Sequence, residues 1–297
     1  MSEQHQILET TRRRLPGTPE PARILLGAGG IRLAADCWGD PSRPPVLLLH
    51  GGGQTRHAWG TTGRMLADAG FHAVAFDARG HGDSQWAPDG RYSSDAMVDD
   101  LQAVLGQLSS TPPILVGASM GGNISLIAVG EGTVAARGLV LVDITPRLES
   151  QGVARIRLFM EGRPEGFASL EEVADAVALY RPTRPRPKDI SGLAKNVRQG
   201  SDGRLYWHWD PRIHTLRGDD EQRTARLHRC AANLTIPTLL VHGLLSDVVS
   251  DAGVREFLER CPHTRYLSVA DAGHMVAGDA NDNFATAVRE FFSQVTT

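Results

Sequence analysis

The chain has 297 residues, of which 41% are hydrophobic, so it can bury a large core and fits one α/β domain that carries an insertion at least as well as two domains. Its formal net charge of −3 provides no basic surface for nucleic acid, so the short run Arg12-Arg13-Arg14 is assigned to a solvated N-terminal tail. The three cysteines, Cys37, Cys230 and Cys261, are widely spaced and include no C-x-x-C pair, so the sequence supports neither a disulfide framework nor a zinc site.

Strand and helix patterns alternate from residue 22 to about residue 145, after a polar tail over residues 1–21. Several strand candidates are short, continuous apolar runs, which are typical of strands buried on both faces of a parallel sheet. In chain order, the predicted elements are a hairpin over Ile24–Trp38, strand Val46–His50, helix Ala58–Ala69, strand Phe71–Phe76, helix Ser93–Leu108, strand Pro113–Val116, helix Met120–Ile127 and strand Leu139–Asp143. This alternation predicts an α/β fold with a doubly wound, mostly parallel sheet and helices on both faces.

The alternation stops between residues 146 and 234. This stretch contains Arg-Pro repeats at residues 181–187, the aromatic run Tyr206-Trp207-His208-Trp209 and helical patterns over Glu171–Leu179 and Glu221–Ala232, but no strand pattern that would extend the sheet. We interpret residues 146–234 as a mostly helical cap inserted into a core that comprises residues 22–145 and 235–297. The core resumes with strand Thr238–Gly243, helix Ser250–Arg260, strand Thr264–Val269 and helix Asn281–Val295.

The apolar run Ile114–Gly122 contains Ser119, which has Gly117 and Gly121 two positions away on either side. A serine at a sharp strand-to-helix turn needs close neighbours without side chains, because otherwise the turn could not close. Such a turn exposes the Ser119 hydroxyl and leaves the N–H of Met120 free at the start of a helix. An exposed nucleophile beside a backbone donor is what acyl transfer requires.

Five motifs, taken in chain order, resemble those of the α/β-hydrolase family. They are His50–Gly53, Phe76–Ser84, the elbow at Ser119, Gly243–Asp247 and Asp271–His274, and the resemblance covers nearly the whole chain apart from the tail and the cap. The Gly-x-Ser-Met-Gly elbow is most similar to the branch of esterases, lactonases, cofactor-free haloperoxidases and carbon–carbon bond hydrolases. In this family the triad follows the order nucleophile, acid, base, which implies Ser119, Asp247 and His274.

The position of these three residues along the chain agrees with that assignment. Each follows a predicted strand, and ligands of open parallel sheets bind at the carboxyl ends of the strands, so the three side chains can converge there. Asp143 is the alternative acid, because it also ends a core strand and some members of the family take the acid from that position. We predict Asp247 and keep Asp143 as its rival.

Two further groups complete the predicted site. The N–H of Met120, together with the N–H of Gly52 or Gly53, would form an oxyanion hole. In the cap, Trp207 and Trp209 either line a substrate pocket or anchor the cap on the core. Both are therefore candidate substrate-binding residues.

These patterns predict a serine hydrolase with a Ser-His-Asp triad that cleaves a small to medium carboxylic ester or lactone through an acyl-enzyme intermediate. No cofactor and no metal are implied. Two alternatives stay open: a carbon–carbon bond hydrolase of the β-diketone type that uses the same triad, and a ligand-binding protein on the same fold.

The hydropathy of the chain gives an expectation for its partners and location. No stretch reaches the roughly 18 apolar residues that a membrane-spanning helix needs, and the first residues lack an apolar signal region. We therefore expect a cytoplasmic protein that binds a small-molecule substrate and neither nucleic acid nor a membrane. The natural substrate and the oligomeric state are left open.

Overall fold

The computed structural model describes residues 12–180, 186, 188–215, 220–274, 288–292 and 295. Its strands are β1 (Arg13–Arg14), β2 (Arg23–Leu26), β3 (Arg32–Trp38), β4 (Pro45–Leu49), β5 (His72–Phe76), β6 (Ile114–Ala118), β7 (Gly138–Val142), β8 (Val197–Gln199), β9 (Leu205–Trp207), β10 (Thr238–Gly243) and β11 (Arg265–Val269). Eight of these strands form a central sheet in the spatial order β11-β10-β7-β6-β4-β5-β3-β2. The pairs β2–β3 and β3–β5 are antiparallel, and the other neighbours are parallel.

The helices alternate with the strands along most of the chain. They are α1 (Gly60–Asp68), α2 (Ser94–Leu105), α3 (Met120–Gly130), α4 (Ser150–Glu161), α5 (Leu170–Tyr180), α6 (Asp220–Ala232) and α7 (Asp251–Arg260). Residues 288–292 are also helical, and most of the remainder of the predicted helix Asn281–Val295 lies outside the described residues.

Both faces of the sheet are buried, as the continuous apolar strands predict. In β4, Leu47 and Leu49 belong to the core on one face, whereas Val46 and Leu48 belong to the core on the other, because successive strand side chains point in opposite directions. The first core also contains side chains of α2, α3, α6 and α7, and the second contains side chains of α1 and of residues 288–292. The predicted doubly wound α/β fold is therefore confirmed.

The predicted cap and tail contain strands that the sequence patterns did not predict. Strands β8 and β9 lie inside the predicted cap, and together with β1 they form a separate antiparallel sheet. Arg13 and Arg14, which we assigned to a solvated tail, thus form a strand that pairs with β8 of the cap. The Arg12 guanidinium also contacts the cap and lies 4.3 Å from the centre of the Tyr206 ring. Strands of two or three residues are too short to produce a recognisable alternation of polar and apolar residues.

The end of the predicted cap also differs. Helix α6 lies within residues 146–234, yet its side chains Leu227, Cys230 and Ala231 are part of the main core beside α3. The chain has therefore returned to the core by Asp220. In the described part of the chain, no helix combines the length and the apolar character needed to cross a bilayer.

Candidate active site

Ser119 occupies a strained turn between β6 and α3. Its backbone angles are φ 46° and ψ −111°, in a region that residues with a side chain rarely adopt. A Cβ on Gly117 would lie 2.5 Å from the carbonyl oxygen of Gly121, and a Cβ on Gly121 would collide with the carbonyl of Leu49. The turn can therefore close only because both flanking positions are glycine.

His274 lies between Ser119 and a buried carboxylate. Its Nε2 is 3.0 Å from the Ser119 hydroxyl oxygen, and its Nδ1 is 2.7 Å from Oδ2 of Asp143. A carboxylate accepts and does not donate, so Nδ1 carries the proton and Nε2 is left to accept the proton of the Ser119 hydroxyl. The three side chains form one continuous line of hydrogen bonds.

Asp143 is held in place by three donors. Its side chain is fully buried, and besides His274 it accepts hydrogen bonds from the Gly243 N–H at 3.0 Å and from the Ser246 hydroxyl at 2.6 Å. The first of these donors is the last residue of β10, the neighbouring strand, and the second lies in the loop that follows it. Because a buried carboxylate needs hydrogen-bond donors to offset its loss of contact with water, these two donors hold the Asp143 carboxylate in place facing the imidazole.

The structure contradicts the predicted pairing of Asp247 with His274. Asp247 instead forms an ion pair with Arg155 of α4, and its side chain is 36% exposed. It comes four residues after the end of β10, whereas Asp143 directly follows β7. The shorter connection keeps the Asp143 carboxylate at the sheet edge, and the extra residues carry Asp247 outward to the cap.

Two of the three predicted oxyanion donors border the same cavity as Ser119. This cavity has a volume of about 200 Å³, and Gly52, Met120 and His274 are among its lining residues. Met120 is the first residue of α3, where a backbone N–H has no acceptor within the helix. Gly53 does not line this cavity. Its carbonyl instead faces the cap residue His208, 3.2 Å from Nε2.

His50 fixes the direction of the Gly52 N–H. Its Nε2 accepts from the Ala78 N–H at 2.9 Å, so its Nδ1 carries the proton and donates to the Gly51 carbonyl at 2.8 Å. Complete burial lowers the pKa of His50 to about 4, which keeps the ring neutral. The Gly51 carbonyl and the Gly52 N–H belong to one planar peptide group, so holding the carbonyl also orients the N–H.

A second cavity lies in the cap. It has a volume of about 420 Å³ and lies mainly between α4 and α5, and its lining residues include Phe159, Phe167, Tyr180 and Trp207. Tyr180 also lines the cavity at Ser119, so the two spaces share a wall.

The two predicted substrate-binding tryptophans differ in position. Trp207 and Trp209 are buried and stack on each other with their ring centres 5.0 Å apart. Trp207 borders the cap cavity, whereas Trp209 packs near Gly53. Neither borders the cavity at Ser119, because the stacked pair belongs to the apolar core of the cap.

Sequence reasoning missed several residues of the site. Ser246 lies within the matched Gly243–Asp247 motif, but no pattern in the sequence assigns it to Asp143. Val153 and Ile156 of α4 and Tyr180 of α5 line the cavity at Ser119, and nothing in their spacing distinguishes them from ordinary apolar helix positions. Within the described residues, no group of three or more His, Cys, Asp or Glu side chains is arranged to hold a metal ion.

Comparisons with known proteins agree with this architecture. The chain matches the family model described as the alpha/beta hydrolase fold over residues 44–280. It is 32% identical to the esterase Rv0045c of Mycobacterium tuberculosis over 88% of this chain and 85% of that protein. It is 30% identical to the 3-hydroxybutyrate-oligomer hydrolase of Cupriavidus necator over 83% and 88%, respectively. The crystal structure of E-2-(acetamidomethylene)succinate hydrolase superimposes with a TM-score of 0.79 at 23% identity, covering 91% of this chain and 98% of that one.

Proposed function

The chain belongs to the α/β-hydrolase fold family, and on that premise we propose that it is a serine hydrolase that cleaves a small to medium carboxylic ester or lactone through an acyl-enzyme intermediate. The observation that carries this proposal is the continuous line of hydrogen bonds from Ser119 through His274 to Asp143, with distances of 3.0 and 2.7 Å. It combines a nucleophile, a base and a group that orients the base.

The arrangement supports a two-step reaction. As the Ser119 oxygen attacks the ester carbonyl, Nε2 of His274 takes the hydroxyl proton and then gives it to the leaving alkoxide. Asp143 stabilises the imidazolium that forms between these two transfers. A water molecule then repeats the cycle on the acyl-enzyme and releases the acid. The N–H groups of Met120 and Gly52 would stabilise the oxyanion, and each such donor is worth about 10²–10³ in rate.

The cavities favour a substrate with an apolar part. The cavity at Ser119 has apolar walls from Leu148, Val153, Ile156 and Val248, and the cap cavity beyond Tyr180 is lined largely by aromatic and aliphatic side chains. Apolar walls stabilise a bound acyl or alkyl chain by removing it from water. The names of two relatives, an esterase and a 3-hydroxybutyrate-oligomer hydrolase, also favour an ester as the substrate.

A substrate panel tests this proposal. We expect multiple turnovers of p-nitrophenyl acyl esters or of aliphatic lactones. We also expect a fluorophosphonate to label the protein stoichiometrically, and mass spectrometry of the labelled peptide should locate the modification at Ser119. Turnover of β-diketones but not of esters would favour the carbon–carbon alternative. A single burst without turnover would favour a ligand-binding protein. Absence of both labelling and hydrolysis would contradict a serine hydrolase.

The cap cavity leads to a prediction about chain length. Replacing Phe159 with Ala should lower kcat/KM for the longest acyl chains by about tenfold, because it removes apolar contact area worth about 1–2 kcal/mol, and should leave the shortest chains nearly unchanged. The matched control is Val173→Ala, which also removes apolar atoms from the cap core but does not line the cavity. Steady-state kinetics over a series from acetyl to decanoyl esters would measure the loss of substrate contact, and melting temperatures would measure the loss of packing within the cap. An equal shift in chain-length preference for both variants would contradict the proposal that the cap cavity binds the acyl chain.

A further inference from the structure

His208 joins the cap to two loops of the core. It follows β9 and is only 1% exposed. Its Nδ1 accepts a hydrogen bond from the Gly82 N–H at 2.7 Å, and its Nε2 lies 3.2 Å from the carbonyl oxygen of Gly53. One imidazole from the cap therefore contacts both the glycine-rich loop after β5 and the loop that carries the predicted oxyanion donor.

The hydrogen bonds of His208 define its protonation state. Because Nδ1 accepts from a backbone N–H, the ring proton is on Nε2, which then donates to the Gly53 carbonyl. Burial lowers the pKa of His208 well below its ordinary value, and the nearby Arg198 guanidinium and the His81 ring lower it further. The neutral ring is the form that can make both bonds at once.

The oxyanion loop is held at its start by several hydrogen bonds, one of which runs from the Gln54 N–H to the Gly51 carbonyl at 3.1 Å. Gly51, Gly52 and Gly53 are three consecutive glycines, which have no side chains to pack and can adopt many backbone conformations. Gly53 itself has a φ of 70°. At the start of the loop, His50 donates to the Gly51 carbonyl and the Gln54 side chain accepts from the Gly51 N–H at 2.9 Å. At the other end of the loop, His208 holds the Gly53 carbonyl.

We propose that His208 is a positioning residue through which the cap holds the oxyanion loop in its reactive conformation. This proposal rests on the proposed serine hydrolase activity, since it assigns His208 a part in orienting the Gly52 N–H. With Gly51 held from one side and Gly53 from the other, the Gly52 N–H between them has a defined direction. Loss of the Gly53 bond would let the loop rotate and misalign the donor in the transition state.

Two conservative variants divide the role of His208 between its two nitrogens. In His208→Gln, the amide nitrogen can reach the position of Nε2 and still donate to Gly53. In His208→Asn, the amide oxygen can take the place of Nδ1 and accept from Gly82, but no atom reaches Gly53. Both variants remove one buried hydrogen bond, so a purely structural role predicts similar losses of stability and no difference in kcat.

We expect His208→Asn to lower kcat for ester hydrolysis by about 10–10²-fold, the scale on which small misplacements of catalytic groups act. KM should change by no more than about threefold, because the oxyanion contact forms mainly in the transition state. The rate of fluorophosphonate labelling should fall in parallel, since phosphonylation of Ser119 uses the same oxyanion site. His208→Gln should restore most of kcat at a similar melting temperature.

Tyr92→Phe provides the matched control. The Tyr92 hydroxyl donates to Asp210, two residues after His208, and it also accepts from the Ala87 N–H at 2.8 Å. This variant loosens the same junction between cap and core without touching the oxyanion loop, so it should lower the melting temperature and keep kcat. Equal kcat values for the Asn and Gln variants, or a loss of kcat in Tyr92→Phe as large as that in His208→Asn, would overturn the proposal. If the unmodified protein neither hydrolyses esters nor reacts with the fluorophosphonate, it is the proposed function that fails.

Discussion

Replacement of Ser119 by Ala is expected to lower kcat for ester hydrolysis by about 10⁶, as the loss of a triad nucleophile does in a serine protease. The residual activity should come from the oxyanion donors and from substrate binding alone. Folding should survive, because Ala accepts the same backbone geometry at the same cost. The hydroxyl bond to His274 is the main interaction lost, and such a bond contributes about 1 kcal/mol.

Ser119→Gly is a useful companion to the Ala variant. The φ of 46° at this position stores backbone strain of about 1–3 kcal/mol for a residue with a Cβ. Gly relieves that strain but costs about 0.5–1 kcal/mol in chain entropy. The Gly variant should therefore be inactive yet more stable than the Ala variant by about 1 kcal/mol in the free energy of unfolding.

Kinetics on purified protein and urea unfolding would test both statements. If Ser119→Ala retained a kcat near that of the unmodified protein, another group would have to be the nucleophile. If the Gly variant were the less stable of the two, the backbone at Ser119 would not be strained in solution. The two outcomes are independent, so the chemistry and the backbone argument can fail separately.

The fold was largely predictable because its signals are local. Fully buried parallel strands such as Leu47–Leu49 appear as continuous apolar runs, and the glycines that flank Ser119 report the turn directly. The strands β8 and β9 were not predicted, because each has three residues and pairs only with other short segments. Helix α6 was assigned to the cap because its sequence has a helical pattern, while the face it buries against α3 is a tertiary property.

The choice of the acid could not be made from the sequence. Asp143 and Asp247 both follow core strands, β7 and β10, which are neighbours in the sheet. The two strands therefore end at adjacent points on the same edge of the sheet. What separates them is the path of the loop after β10, which turns Ser246 toward Asp143 and Asp247 toward Arg155. That path is held by hydrogen bonds from the Val248 and Val249 N–H groups to the Ser246 hydroxyl and by the ion pair between Asp247 and the cap residue Arg155, and no sequence pattern predicts either contact.

Replacing Asp143 and Asp247 in turn with Asn tests whether Asp143, and not Asp247, is the acid of the triad. Asp143→Asn is expected to lower kcat by about 10⁴, the loss seen when the acid of a serine-protease triad becomes an amide. All three polar neighbours of the Asp143 carboxylate are donors: the Gly243 N–H, the Ser246 hydroxyl and the His274 Nδ1–H. An amide must turn its own N–H₂ toward at least one of them. If it faces His274, the ring adopts the other tautomer and Nε2 can no longer accept the Ser119 proton.

Asp247→Asn is the matched control, since it makes the same chemical change in the neighbouring loop. It weakens an ion pair whose two side chains are 36% and 50% exposed, and exposed pairs contribute about 0–1 kcal/mol. We therefore expect kcat to stay within about threefold of the unmodified protein, because no hydrogen bond of the triad is altered. Steady-state kinetics and melting temperatures for both variants would decide the assignment. If Asp247→Asn were the more damaging change, the acid would have to be returned to Asp247, and the Arg155 ion pair would have to open before the reaction.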